Sequence, residues 1–342
     1  MMYPLVYYYP EGHAAHALPG HPERPDRVEA IRLALEEAGW WQPYPKLAPI
    51  PIPPSVLHTV HSPAYLSVLE MACRRGGRLD ADTYITPASW QLAHNAAGGA
   101  LAVTEAVWRG EARRGFALCR PPGHHALRGQ GMGFCLLNNI ALAAENLIQR
   151  GAQRLAIVDL DLHHGNGTQD IFWQRDDVFF ISVHQLPLFP MTGKLRETGA
   201  GTGAGYTANF PLLPGAGDQA YVAVMEQLIL PLLDRFAPQM ILVSFGFDAH
   251  WLDPLGNMQL SAAGMGELIN HLCQWADRHA AGKLAVVLEG GYDLDAAATC
   301  SQAVTAALLG QPWSDPLGPS PQGESLAWQR MLTEAIQFWL NR

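Results

Sequence analysis

Residues 157–167 read Ile157-Val158-Asp159-Leu160-Asp161-Leu162-His163-His164-Gly165-Asn166-Gly167, an apolar run that turns within a few positions into a cluster of metal-competent side chains. A buried strand ending in such a cluster is where a parallel α/β protein places its chemistry. In extended backbone, residues two apart point the same way, so Asp159, Asp161 and His163 are expected on one face. Carboxylates buried together without a counter-charge are costly or protonate, whereas a divalent cation relieves that cost. A single Asp here would read as a helix N-cap; the whole run reads as a metal site.

Outward from this stretch, short apolar runs recur at 5–9, 116–118, 155–160, 178–183, 240–245 and 284–288, and they read as strands. Helical spacing marks 27–38, 64–74, 89–108, 139–149, 219–236, 262–279 and 296–309. That alternation predicts an α/β fold with a mostly parallel central sheet and helices on both faces. In such folds ligands sit beyond the carboxyl ends of the strands. Four strand ends carry polar sequence: Arg120 to His125, Asp159 to Gly167, Ser244 to Pro254, and Glu289-Gly290-Gly291-Tyr292-Asp293. They are expected to converge on one rim.

With 342 residues, 49% hydrophobic and 15% charged, the chain is long enough for one large core or two domains. A single domain over 1–342 is expected, because no flexible linker or charge run divides it and the Pro-rich 41–54 stretch lies too near the N-terminus to do so. A formal net charge of −9 argues against a nucleic-acid-binding surface. The five scattered cysteines contain no C-x-x-C pair, so they read as reduced core thiols of a cytoplasmic protein. The N-terminus lacks a basic n-region, and no segment reaches about 18 uninterrupted apolar residues, so no membrane span is expected.

Fourteen histidines would give about half of one adjacent pair by chance, yet the chain has two, His124-His125 and His163-His164. Two neutral imidazoles in a pocket act as general base and electrostatic partner, or as ligands, and both readings stand at this point. Asp248 reads as a third ligand from another strand end or as a helix N-cap. Asp253, before Pro254, reads as a turn residue. Tyr292 reads as a packed side chain or, after the permissive Gly290-Gly291 pair, as a phenol at the pocket mouth. There is no P-loop and no G-x-S-x-G, and the glycine-rich 199–205 run lacks the flanking strand and helix of a dinucleotide site.

In this order, His21-Pro22-Glu23-Arg24-Pro25, Arg120 to His125, Gly133-Phe134-Cys135, Asp159 to Gln169, Phe247 to Gly256 and Glu289 to Tyr292 resemble the zinc-dependent histone deacetylase and acetylpolyamine amidohydrolase family, in its class II-like branch. The resemblance implies a single-domain arginase-like fold, in agreement with the alternation. It implies that Asp161, His163 and Asp248 bind one Zn2+ ion, and that His125 is the general base with His124 as its electrostatic neighbour. Asp159 would orient His124, Asn166 would orient His125, and Tyr292 would stabilise the oxyanion. The resemblance also implies a substrate channel at Gly133, Phe134, Phe189 and Leu255. A structural K+ site would be formed by Asp159, Asp161, His163, Ser182 and Val183. Taken alone, Phe189-Pro190 would read as core.

The activity so implied is removal of an acetyl or related acyl group from an amine, foremost the acetyl-lysine side chain of a protein or peptide. Inactive-like relatives carry His in place of Tyr292, so the tyrosine favours real deacetylase activity; polyamine-selective relatives carry Glu in place of Leu255, so Leu255 tilts the substrate toward an acylated lysine. A small acetylated amine such as an acetylpolyamine is the close alternative. An arginase-like dimanganese hydrolase would want carboxylates at Gly165 and His250, and a mere acyl-binding protein would not need the acid–base pair. Asp80 to Tyr84 reads as part of the entrance rim or as an ordinary turn. The 314–323 segment and the helical stretch at 324–341 lie outside these motifs and either cover the body of the fold or meet another subunit.

Overall fold

The computed structural model describes residues 2–340. Its strands are β1 (Tyr3–Tyr8), β2 (Gly77–Arg78), β3 (Tyr84–Ile85), β4 (Ala112–Ala117), β5 (Leu155–Asp159), β6 (Val178–Gln185), β7 (Thr207–Leu212), β8 (Met240–Phe245) and β9 (Leu284–Leu288). The helices are α1 (Asp26–Glu37), α2 (Pro54–Val60), α3 (Pro63–Arg75), α4 (Ser89–Trp108), α5 (Asn139–Gln149), α6 (Asn166–Phe172), α7 (Asp218–Val224), α8 (Leu230–Phe236), α9 (Ala262–His279), α10 (Leu294–Leu309) and α11 (Trp328–Trp339). The helix expected at 219–236 is interrupted by a π turn over Met225–Ile229. It precedes Pro231, whose missing N–H could not serve a regular α-helical ladder.

Seven strands form one parallel sheet in the order β1-β4-β9-β8-β5-β6-β7. Strand alternation divides the apolar residues between two cores: Leu5 and Tyr7 face one side of the sheet, Val6 and Tyr8 the other. Helices α4 and α5 close one core, and α1, α9 and α10 close the other. Burial of both faces is what a parallel sheet requires, and it explains why the central strands read as continuous apolar runs. All five cysteines are buried and unpaired. Among the described residues no helix is long and apolar enough to cross a membrane.

Strand β7 and the small β2–β3 ladder were not legible in the periodicity. Asn209 and Pro211 break the apolar run of β7, and its place at the edge of the sheet is what tolerates the proline. The C-terminal segment covers this edge, with α11 packed on β7 and α7. Glu324 accepts N–H bonds from Gly217, Gln219 and Ala220 at 2.8–2.9 Å, satisfying free donors at the start of α7. The helical stretch expected at 324–341 is helical over Trp328–Trp339, and position 341 lies outside the described residues.

The order of strands places the site. β4, β9, β8 and β5 are consecutive neighbours and run parallel, so their carboxyl ends lie side by side. The four polar segments follow these four strands. They close on one rim, and side-chain helix caps follow three of them: Asn138 accepts from Ala141 N, Ser261 from Gly264 N and Asp293 from Ala296 N.

Candidate active site

Asp161, His163 and Asp248 each direct one ligand-type atom to a common point, with these atoms all within 4.8 Å of one another. His163 Nδ1 lies 3.2 Å from Asp161 Oδ1 and 3.0 Å from Asp248 Oδ2. The route to this cluster differs from simple strand alternation. β5 ends at Asp159, so Asp161 and His163 project from the turn beyond it, where His163 N donates to Asp161 Oδ1 at 2.8 Å. Asp248 is not a helix cap, because Ser261 caps the following helix; instead its Oδ1 accepts from Leu162 N at 3.2 Å. Gly246 makes the close approach possible, since a Cβ there would overlap both Asp161 Oδ2 and Asp248 Oδ1.

Two carboxylates and one imidazole nitrogen form an N/O donor set suited to a zinc-type cation. The electrostatics agree. Burial opposes a charge on His163, yet the hydrogen bonds and charges of Asp161 and Asp248 push its pKa up to about 10. The carboxylate pair therefore favours positive charge at this point, which a divalent cation would supply without a proton.

The tandem histidines after β4 lie against this cluster, with ring centroids 4.0 Å apart. His124 Nδ1 meets Asp159 Oδ2 at 3.1 Å, and its Nε2 is 3.8 Å from Asp161 Oδ1. Burial disfavours its charge, but Asp161, Asp159 and Glu289 push it up to about 10. His125 Nδ1 meets Asn166 Oδ1 at 2.7 Å. An amide oxygen only accepts, so Nδ1 carries the proton and Nε2 keeps a free lone pair. Burial and the charges of His124 and His163 hold His125 well below the ordinary imidazole value.

Tyr292 stands on the loop between β9 and α10. The Arg27 guanidinium lies 4.6 Å from its ring centroid, and Phe134 meets it edge-on at 5.7 Å. Arg27 also donates to the carbonyls of Gly291 and, at 2.7 Å, Glu289, while Gly290 N donates to Asp161 Oδ2 at 2.9 Å. The Glu289 carboxylate accepts from Gly123 N at 2.7 Å, His124 N at 3.1 Å and Ser244 Oγ at 2.8 Å, joining three of the four strand-end segments. Sequence reasoning assigned nothing to Arg27 and left Glu289 without a task. A signal for Arg27 existed: it shares helical phase with Ile31 and Leu35 on the buried face of α1.

Phe134 and Phe189 flank this group on different sides. Phe134 packs on Tyr292 and His21; Phe189, 37% exposed, meets His125 edge-on at 5.1 Å and so is a rim residue rather than core. Gly133 has φ +55, and a Cβ there would lie 2.9 Å from the Phe189 ring and overlap His125; only glycine leaves this passage open. Leu255 is partly exposed, and its N–H donates to Asp253 Oδ1 at 3.0 Å. Ser182 pairs with Asp159 across β5 and β6, and Val183 continues β6 behind it. Asp82 is exposed beside the site, and its carbonyl contacts His21 Nε2 at 2.9 Å.

A parallel α/β sheet that brings a buried histidine pair, a metal-competent triad and a phenol to adjoining strand ends is the arrangement of a hydrolase, and its relatives give its type. Residues 21–308 match the histone deacetylase domain, and the chain belongs to that family. It is 40% identical over 326 residues to a probable deacetylase of Archaeoglobus fulgidus, covering 94% of this chain and 91% of the relative. It is 41% identical over 297 residues to a histone deacetylase-like amidohydrolase of Pseudomonas aeruginosa, covering 86% and 78%. The crystal structure of the HDA15 HD domain superposes with a TM-score of 0.91 at 33% identity, covering 100% of this chain and 96% of that one. The chain is thus a deacetylase that hydrolyses amide bonds on the arginase-like fold of this family, for which zinc dependence is typical.

Proposed function

We propose that the protein hydrolyses the amide of an acyl-lysine side chain, releasing the carboxylate and the free amine, with Asp161, His163 and Asp248 holding one zinc ion. The observation that carries this reading is the placement of His125, with a lone pair free on Nε2, beside the Asp161–His163–Asp248 cluster, its ring centroid 5.9 Å from that of His163, while the loop that carries Tyr292 is bonded to the same cluster through Gly290 N. Bound to the three side chains, zinc would polarise the carbonyl and acidify water. His125 Nε2 takes a proton from the attacking water as the C–O bond forms, then returns it to the leaving nitrogen as the C–N bond breaks. His124, whose charged form Asp161 and Asp159 favour against burial, supports the negative charge that builds on the carbonyl oxygen, and the Tyr292 hydroxyl donates to that oxygen. Phe134 and Phe189 bracket the aliphatic chain, and Leu255 offers no charge to a distal ammonium. The register of Ser182 on Asp159 supports a K+ ion held with Asp161, His163 and Val183.

A comparison of kcat/KM tests the substrate: an acetyl-lysine peptide is expected to exceed acetylspermidine, and a strong preference for the polyamine would overturn the use made of Leu255. Metal counting accompanies it, with one zinc per chain expected and a requirement for two manganese ions pointing to the arginase-type reaction.

The pH profile carries a second expectation. With His125 depressed, the acid limb of kcat/KM should lie below the ordinary imidazole value, and activity is lost as pH falls through it. Asn166→Asp places a carboxylate on Nδ1, favours the imidazolium and should move the acid limb upward by about 1 pH unit. An unmoved or downward-shifted limb would remove His125 from the role of base.

A further inference from the structure

The turn at Asp253 does more than a turn requires. Its Oδ1 accepts from Leu255 N at 3.0 Å, the local bond that any Asn or Asp in this position can make. Its Oδ2 turns the other way and accepts from Tyr292 N at 2.6 Å and Asp293 N at 3.1 Å, on the loop after β9. Asp253 is 5% exposed, and burial together with the charge of Asp248 pushes its pKa up to about 7. A neutral residue would make the turn without that penalty, so the carboxylate is explained by the second set of donors, Tyr292 N and Asp293 N, that it accepts from.

Those donors fall at a decisive place. The residue before Tyr292 is Gly291 at φ +109, so the backbone there is permissive and needs outside restraint. Asp293 begins α10 by accepting from Ala296 N at 2.9 Å, which fixes the loop on its far side. On the near side Arg27 holds the carbonyls of Glu289 and Gly291. Asp253 closes the frame on the N–H of the tyrosine itself.

We infer that Asp253 is a positioning residue that sets the Tyr292 phenol for oxyanion stabilisation and, through its other oxygen, ties the tyrosine to the Leu255 wall of the substrate path. The inference rests on the proposed role of Tyr292. A carboxylate can accept on both oxygens at once; an amide of the same shape cannot, because its NH2 group would face a donor.

The test is a double-mutant cycle on the zinc-loaded enzyme with an acetyl-lysine peptide. Asp253→Asn should lower kcat by about 10- to 100-fold, as expected for a displaced catalytic group, with KM within about twofold and zinc content unchanged. In the Tyr292→Phe background the same substitution should cost about twofold or less, because the hydroxyl it positions is gone. Asp253→Glu, which retains a carboxylate, provides a second cycle should the Asn variant fail to fold; its smaller kcat loss should also vanish in that background. Equal losses with and without the Tyr292 hydroxyl would overturn the positioning role while leaving the proposed function intact. Full activity of Tyr292→Phe alone would overturn the proposed role of Tyr292 and this inference with it.

Discussion

His125→Ala is expected to lower kcat/KM for an acetyl-lysine peptide by roughly 10²- to 10⁴-fold, the range for removing a general acid–base group, with one zinc per chain still bound. The size follows from the position of His125. Its Nδ1 proton is committed to Asn166 at 2.7 Å, so Nε2 is the nitrogen free to accept, and burial keeps the ring neutral. His124 cannot take over, because its Nδ1 is committed to Asp159 and the neighbouring carboxylates of Asp161, Asp159 and Glu289 favour its charged form, which has no lone pair to offer. The same substitution at His124 should therefore spare the base and weaken the electrostatic support. Full activity of His125→Ala, measured with zinc content confirmed, would sink the assignment.

Gly246→Ala is expected to abolish zinc binding and activity together, although it alters no ligand. The added Cβ would overlap Asp161 Oδ2 and Asp248 Oδ1, and neither can retreat. Asp161 Oδ2 is held by Gly290 N, and Asp248 Oδ1 by Leu162 N. Asp248→Ala should lose the metal as well, but by the ordinary route of a missing ligand. Metal analysis of the purified variants decides the matter: a Gly246→Ala protein with one tightly held zinc and normal activity would show that the triad does not close around the ion as its side chains are arranged. Chelation of the unaltered enzyme should abolish activity, and zinc should restore it.

Much of the site is legible because the chemistry is local in the chain. Asp159, Asp161, His163 and Asn166 fall within eight positions, and the apolar run before them marks the strand end. His124 meets Asp159, His125 meets Asn166, and Asp161 and Asp248 meet His163. Asp253 looked like a turn residue and is one, but only with one of its oxygens. Arg27 and Glu289 escaped because, apart from the Arg27–Glu23 pair one helical turn away, the partners that place them at the site lie between about 45 and 264 positions away. Strand β7 escaped because an edge strand does not need the uninterrupted apolar sequence that marks a central one.

The sequence by itself determined the class of fold and the inventory of reactive groups. Hydrophobic period and strand-end composition are short-range properties, and they survive in one dimension. Which groups face one another was decided only by the tertiary structure. The sheet order β4-β9-β8-β5 places four distant chain segments side by side, and backbone N–H groups that no side-chain pattern reveals then choose the carboxylate oxygens. Asp253 reaching the Tyr292 amide across thirty-nine positions is such a choice, set by parallel strands packing at a fixed spacing rather than by any preference of the residues nearby.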